Sequence, residues 1–207
     1  MNQPDALQRE LRRAAAAVDS SPPEFTRAAD AAGLLDVSYA TTDSPLGTLL
    51  LAATPAGLVR LAYIDFEQED AVLAELAERV SPRVLAVARK LDQPRRELEQ
   101  YFTGGRHAFD VPIDWQLTKG FARRVLAATA DIPYGEVSSY RDVAAVAGSP
   151  RGFRAAGNAL GSNPIPIVVP CHRVLHASGG LGGYTGGLER KRTLLGIERG
   201  QNELAPA

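Results

Sequence analysis

The chain runs to 207 residues, 45% of them apolar, with a formal charge of −1 and a single cysteine. That length holds one large or two small domains, one cysteine excludes an internal disulfide and a cysteine-rich zinc site, and no apolar run reaches bilayer-spanning length. The charge is unevenly spread: residues 1–118 carry 12 Lys/Arg against 18 Asp/Glu, whereas residues 119–192 carry 10 against 4. A basic half on a near-neutral protein points to a polyanionic partner, although solvated surfaces are often locally biased. No signal-peptide core stands at the N-terminus, so the expected compartment is the cytoplasm, where a lone thiol stays reduced.

Residues 1–35 read as a helical extension: Pro4 to Asp19 and Glu24 to Leu35 favour helix, broken by Ser20-Ser21-Pro22-Pro23. This Ala-rich stretch offers little to bury, and no role is assigned to it. From Val37 to Phe66, apolar runs separated by Ser44-Pro45-Leu46-Gly47 and Thr54-Pro55-Ala56-Gly57 predict an antiparallel meander. Glu67 to Val80 is a predicted amphipathic helix with Val72, Leu73 and Leu76 on one face, and Leu91 to Phe102 a second, ended by Gly104-Gly105. Phe109 to Ile113 is expected as a short strand. Glu67, Glu69 and Asp70 read as a solvated face and not as a metal site, so this α/β unit, residues 36–114, shows no chemistry.

Composition changes near Trp115 to Thr118, the expected boundary to a second domain over residues 115–200, with 201–207 as a tail. Phe121 to Ala130 is a predicted helix with Phe121, Val125 and Leu126 inward. Ser138 or Ser139 caps the next helix, which runs to about Ala147. Gly148-Ser149-Pro150 makes a turn, with Ser149 and Pro150 starting a further helix to about Leu160. Helix, short glycine-containing turn, helix is the outline of a helix-turn-helix. On the second of these helices, Gly152, Ala155, Ala156 and Ala159 form a small-residue face for the body, opposite Arg154, Gly157, Asn158 and Gly161. Each exposed helical glycine costs about 1 kcal/mol against alanine. That loss is rational where a bulky partner approaches the backbone beside one projecting arginine; a poor helix that merely packs tightly is the plainer alternative.

The stretch Ile165 to Val174 carries the only cysteine, Cys171, after two prolines and a branched apolar run and before His172 and Arg173. Prolines fix φ and disfavour helix before them, so the approach to the thiol is expected to be extended, stiff and buried. A buried free cysteine is usually inert. A reactive one needs a base or cation nearby, because a free thiol of pKa about 8.5 is only slightly ionised at neutral pH. His172 is the nearest base, and since adjacent side chains rarely bond directly, a bridging water is the expected link.

Pro170-Cys171-His172-Arg173-Val174 resembles the active-site motif of the O6-alkylguanine-DNA alkyltransferases, also called methylated-DNA–protein-cysteine methyltransferases. The similarity spans about Tyr39 to Glu198. It implies an α+β fold: a small N-terminal domain of antiparallel sheet and helices, ribonuclease H-like, then a mostly helical domain with a winged helix-turn-helix-like DNA-binding unit. It implies repair by direct reversal, in which Cys171 takes the methyl group of O6-methylguanine, and O4-methylthymine, from double-stranded DNA. By the same resemblance Glu198 orients His172, Asn163 supports the turn and its hydrogen bonds, and Arg173 is structural. Arg154 fills the space of a flipped nucleotide on a helix that enters the minor groove with Gly157, Asn158 and Gly161. Tyr140 presses on the target phosphate and protonates the leaving guanine. Leu160, Val174, Tyr184 and Thr185 border the base pocket; Thr185 stands where some members have serine, adding a methyl. The glycine-rich loop Ser178 to Leu188 walls that pocket and lacks the ending of a phosphate-binding P-loop. The charged run Glu189 to Arg192 reads as a solvated helix start.

A thioether product does not hydrolyse, and no second cysteine regenerates the thiol, so one alkyl group per molecule is expected, without cofactor or metal, from a monomer. The competing reading is a damage-binding module without transfer, against which Cys171 argues. A cysteine-based regulatory domain is excluded by the cysteine count, and a Cys–His hydrolase lacks support from His107, His172 and His176.

Overall fold

Apolar side chains along residues 49–63 alternate between two environments, and that period of two builds the N-terminal half. The structure, a computed structural model, describes residues 35–200; the expected N-terminal helices and the tail lie outside the described residues, apart from Leu35. β1 (Val37–Thr42), β2 (Leu49–Thr54) and β3 (Gly57–Tyr63) form the expected meander. Leu50, Ala52, Val59 and Ala62 pack with Val72 and Leu76 of α1 (Glu69–Arg79). Leu49, Leu51, Leu61 and Tyr63 instead join the core shared with the C-terminal half.

Two elements depart from expectation. Val84–Ala86 forms β4, parallel to β1 at the sheet edge, giving the order β3-β2-β1-β4. Three residues show no readable alternation, which is why the sequence hid it. Conversely, Phe109 to Ile113 is not a strand. The N–H groups of Asp110 and Val111 donate to the buried Glu97 carboxylate of α2 (Asp92–Phe102), at 2.8 and 3.2 Å, and only Ile113 bridges Leu58.

Glu67, expected on a solvated face, instead pairs with the buried guanidinium of Arg60. Arg60 also reaches Glu75 (3.3 Å) and donates to the carbonyls of Leu61 (2.8 Å) and Pro164 (3.2 Å). The Leu61 N–H donates to the same Pro164 oxygen at 2.8 Å. The sheet thus grips the loop that leads to Cys171.

The C-terminal half is helical. α3 (Gly120–Ala130) buries Val125 and Leu126. Ser139, not Ser138, caps α4 (Tyr140–Val146), its Oγ accepting from the Asp142 N–H at 3.2 Å. α5 (Phe153–Gly161) starts later than Ser149-Pro150 would have it, because Gly152 N–H closes a turn onto the Ser149 carbonyl (2.8 Å). α4, this turn and α5 make the helix-turn-helix. Ala156, Ala159 and Leu160 are buried, whereas Ala155, expected inward, is exposed. Two-residue strands β5 (Ser138–Ser139) and β6 (Val174–Leu175) pair in parallel, and α6 (Leu188–Glu198) closes the chain's described part. No described helix is long and apolar enough to cross a membrane.

Candidate active site

The approach to Cys171 is buried, as its composition demands, but not extended. The Val169 N–H donates to the Ile165 carbonyl (2.9 Å), and Ile167 takes a φ of 74°. A β-branched residue there costs about 1–2 kcal/mol. Packing sustains the strain: Ile165, Ile167 and Val169 are fully buried. Asn163 fastens the turn, Oδ1 accepting from the Ile165 N–H (3.0 Å) and Nδ2 donating to the Val169 carbonyl (2.8 Å). Its second amide hydrogen is directed at Cys171 Sγ, 3.2 Å away.

Cys171, His172 and Arg173 form one turn of 3₁₀ helix. That tight turn sends the adjacent side chains to different neighbours. His172 Nε2 lies 2.7 Å from Glu198 Oε1 at the end of α6. Arg173 clasps the same carboxylate through two nitrogens at 2.9 Å, and Tyr101 donates to it at 2.7 Å and the Gly135 N–H at 3.1 Å. Burial pushes the Glu198 carboxyl upward, but the bonds from His172 and Arg173 outweigh it and hold the pKa down at about 2. Glu198 is therefore ionised at neutral pH, can only accept, and fixes the His172 proton on Nε2. The other ring nitrogen, Nδ1, is buried and has no partner among the described residues. Burial also lowers the His172 pKa, so the ring is neutral and Nδ1 is an available base.

Both depressed pKa values make stability depend on pH in one direction. Each group releases its proton more readily when folded, so the stabilisation is present above the unfolded pKa and is lost as pH falls. Loss is expected to begin below the ordinary histidine value of 6.5 and to continue through the carboxylate range down to about 2, Glu198 alone accounting for about 3 kcal/mol. Urea midpoints measured between pH 7 and 3 check this; a flat profile would contradict it.

The Cys171 thiol is not an acidic one. Burial raises its pKa to about 11, against the lowering effects of the Asn163 bond and the Lys191 charge. The sulfur stays protonated until a base takes the proton.

Lys191 was hidden by its charged run. It is 0% exposed, not part of a solvated helix start. Its Nζ donates to the carbonyls of Val174 (2.7 Å), Leu181 and Gly183 (3.3 Å), tying the glycine-rich loop to β6. Burial brings its pKa down to about 8. Gly182, at φ 67°, lies so close to Tyr140 that a Cβ would stand 2.4 Å from the phenol oxygen. Any side chain there would displace the ring.

In front of these groups is a mostly apolar cavity of about 630 Å³. Tyr140, Arg154, Gly157, Leu160, Gly161, Tyr184 and Thr185 line it, with Phe66, Phe153, His176 and Gly183. Asn158 is exposed on α5 outside the lining, and Val174, paired with Ser138, is buried and is not part of the lining. Cys171 is buried in the same apolar cluster as Leu160, Tyr140 and Tyr184 of the lining, and the ring centroid of its neighbour His172 lies 6.4 Å from that of Tyr184. Tyr184 bonds Tyr63 through their hydroxyls (2.8 Å), and Thr185 donates to the Gly161 carbonyl (3.0 Å). Burial raises the Tyr140 pKa, keeping its proton at neutral pH. Among the described residues no cluster of His, Cys, Asp or Glu is arranged to hold a metal ion. Phe66 and Phe153 could not be recognised as cavity residues from local pattern, because their exposure is visible only in the fold.

Comparison with known proteins assigns these halves. Residues 37–115 match the family model of the 6-O-methylguanine DNA methyltransferase ribonuclease-like domain, and residues 120–200 that of its DNA-binding domain. A methylated-DNA–protein-cysteine methyltransferase of Mycolicibacterium paratuberculosis is 44% identical over 79% of this chain and 93% of its own length. The constitutive one of Bacillus subtilis is 40% identical over 78% and 94%. The solved structure of Mycobacterium tuberculosis OGT in complex with DNA superposes with a TM-score of 0.68 at 38% identity, covering 79% of this chain and 94% of that one.

Proposed function

This chain belongs to the methylated-DNA–protein-cysteine methyltransferases, DNA-repair proteins that move an alkyl group from DNA to a cysteine, and we propose that Cys171 is its acceptor and that the cavity before it receives a flipped O6-alkylguanine. One observation carries the assignment of roles: the only cysteine sits beside a neutral, buried histidine whose free nitrogen is set by an ionised glutamate.

In this reading the Cys171 proton passes through a water to His172 Nδ1. Glu198 stabilises the imidazolium that results. Sulfur attacks the alkyl carbon, a C–S bond forms and the C–O6 bond breaks. The departing guanine takes the Tyr140 hydroxyl proton on a ring nitrogen and leaves neutral, and the histidine proton restores the phenol. Atoms and charge balance: thiol and alkylguanine become thioether and guanine. Asn163 holds the sulfur in place, and Thr185 offers its hydroxyl to O6 by releasing the Gly161 carbonyl. A base cannot be approached in line inside a stacked duplex, which requires flipping. α5 enters the minor groove with Gly157, Asn158 and Gly161 at the backbone and Arg154 in the vacated position. The protein acts once, as a cytoplasmic monomer, on O6-methylguanine and on O4-methylthymine.

Intact mass after mixing with a duplex carrying one O6-methylguanine tests this. One methyl gained per molecule, mapped to Cys171 and absent in Cys171→Ser while DNA binding persists, is the expected result. Binding without gain of mass would favour a damage-binding module. Multiple turnovers would refute single use.

A further inference from the structure

A large apolar side chain left in water forfeits its burial energy unless a partner covers it. Phe66 and Phe153 are 62% and 42% exposed, and both line the cavity. Phe153 is the first residue of α5, directly before Arg154, whose guanidinium carbon lies 5.8 Å from the Phe153 ring centroid. The backbone that presents it is held firmly. A Cβ on Gly152 would lie 2.7 Å from Ser149 Oγ and 3.1 Å from the Phe121 ring, so α5 begins pressed against α3 and the cap of its own turn. The ring therefore projects from a fixed helix start. α5 carries no acidic residue, and Arg151 and Arg154 stand two residues before and one after Phe153 in the chain, so the surface here suits a polyanion.

Resting on the DNA-repair reading above, we propose that Phe153 is an aromatic wedge that enters the base stack beside Arg154 when the target nucleotide leaves it. The occupant of this exposed ring is the base flanking the flipped one. Extrusion leaves that neighbour without a stacking partner on one face. A guanidinium fills the gap with charge and hydrogen bonds; a phenyl ring replaces the lost stacking, and does so for any base because every base has a π-face. Apolar wedges that unstack a step from the minor groove are an established device of DNA-bending proteins. The guanidinium carbon over the ring, 5.8 Å from its centroid, keeps the two side chains together at the start of α5.

The alternative is that Phe153 only walls the pocket and touches the alkyl group. Two substrates separate these. The single-turnover rate on an O6-methylguanine duplex depends on the wedge, whereas free-base O6-benzylguanine has no stack to open. In Phe153→Ala the ratio of duplex rate to free-base rate is expected to fall about ten-fold, the scale of one lost base–aromatic contact. 2-Aminopurine placed next to the lesion, which the ring restacks in the parent protein, should fluoresce more strongly on binding to Phe153→Ala, and Phe153→Trp should restore the rate ratio. An unchanged ratio, or an unchanged 2-aminopurine signal, overturns the wedge. A wild-type protein that transfers no methyl from the duplex overturns the underlying reading instead, which the wild-type arm shows before any variant is compared.

Discussion

Glu198→Ala is expected to lower stability by about 3–5 kcal/mol at pH 7, because it leaves the Arg173 guanidinium buried without its carboxylate. For a chain of this size that corresponds to a fall in melting temperature of about 10 °C. The substitution also orphans the Tyr101 hydroxyl and the Gly135 N–H, and it frees the His172 ring from the partner that selects its tautomer. Methyl transfer should slow by about 100-fold or more, the usual range for a misdirected general base. Glu198→Gln separates the two effects. The amide oxygen still accepts from Tyr101 or Gly135, so the stability loss is smaller, but the charge that stabilises the imidazolium is gone and the rate loss remains. A Gln variant with wild-type rate would remove Glu198 from the mechanism and leave it a structural residue. Thermal melts and single-turnover rates on the same preparations provide both readings.

Lys191→Met should cost about 2–3 kcal/mol and slow transfer about ten-fold or more, although it removes a buried charge that is itself unfavourable. Methionine fills the space but donates nothing, so the carbonyls of Val174, Leu181 and Gly183 lose their shared donor. The glycine-rich loop then loses its tie to β6, and with it the wall that presses Gly182 against Tyr140. Hydrogen exchange should accelerate over residues 178–187 while the sheet is unaffected. If the variant is as stable as the parent, with unchanged exchange in the loop, the ammonium does not hold it.

The parts of this site that could be read from the sequence are those whose chemistry is local. Cys171-His172 follows two prolines and an apolar run, and the two α-helices around Gly148 are marked by the Ser139 cap and the turn residues between them. Glu198 stood out only through family resemblance, since a glutamate in a helix is ordinarily a surface residue; its burial depends on Tyr101, Gly135 and Arg173 converging from three other places. Lys191 and Arg60 were concealed in the same way. Their carbonyl and carboxylate partners lie 8 to 17 and 1 to 104 positions away, and no local pattern marks either side chain as one that turns inward to reach them. The turn at Ile167 contradicts the extended path that Pro166 and Pro170 imply, because the hydrogen bonds of Asn163 and the surrounding core outweigh the local preference.

The sheet's shared inner face has a further consequence, for synthesis of the protein. Leu49, Leu51, Leu58, Leu61 and Tyr63 belong to the same apolar cluster as Val125, Leu126, Ile165, Leu194 and Ile197. When a ribosome has made the first half, Leu91, Leu98, Tyr101 and Phe102 cover these five side chains only in part, and the last of the partners, Leu194 and Ile197, do not arrive until about 80 further residues follow. At about 5–20 residues per second that wait is roughly 4–16 s. Through that interval the nascent sheet presents an apolar face and an unfinished partnership at Pro164, a substrate for chaperones before it is a repair protein.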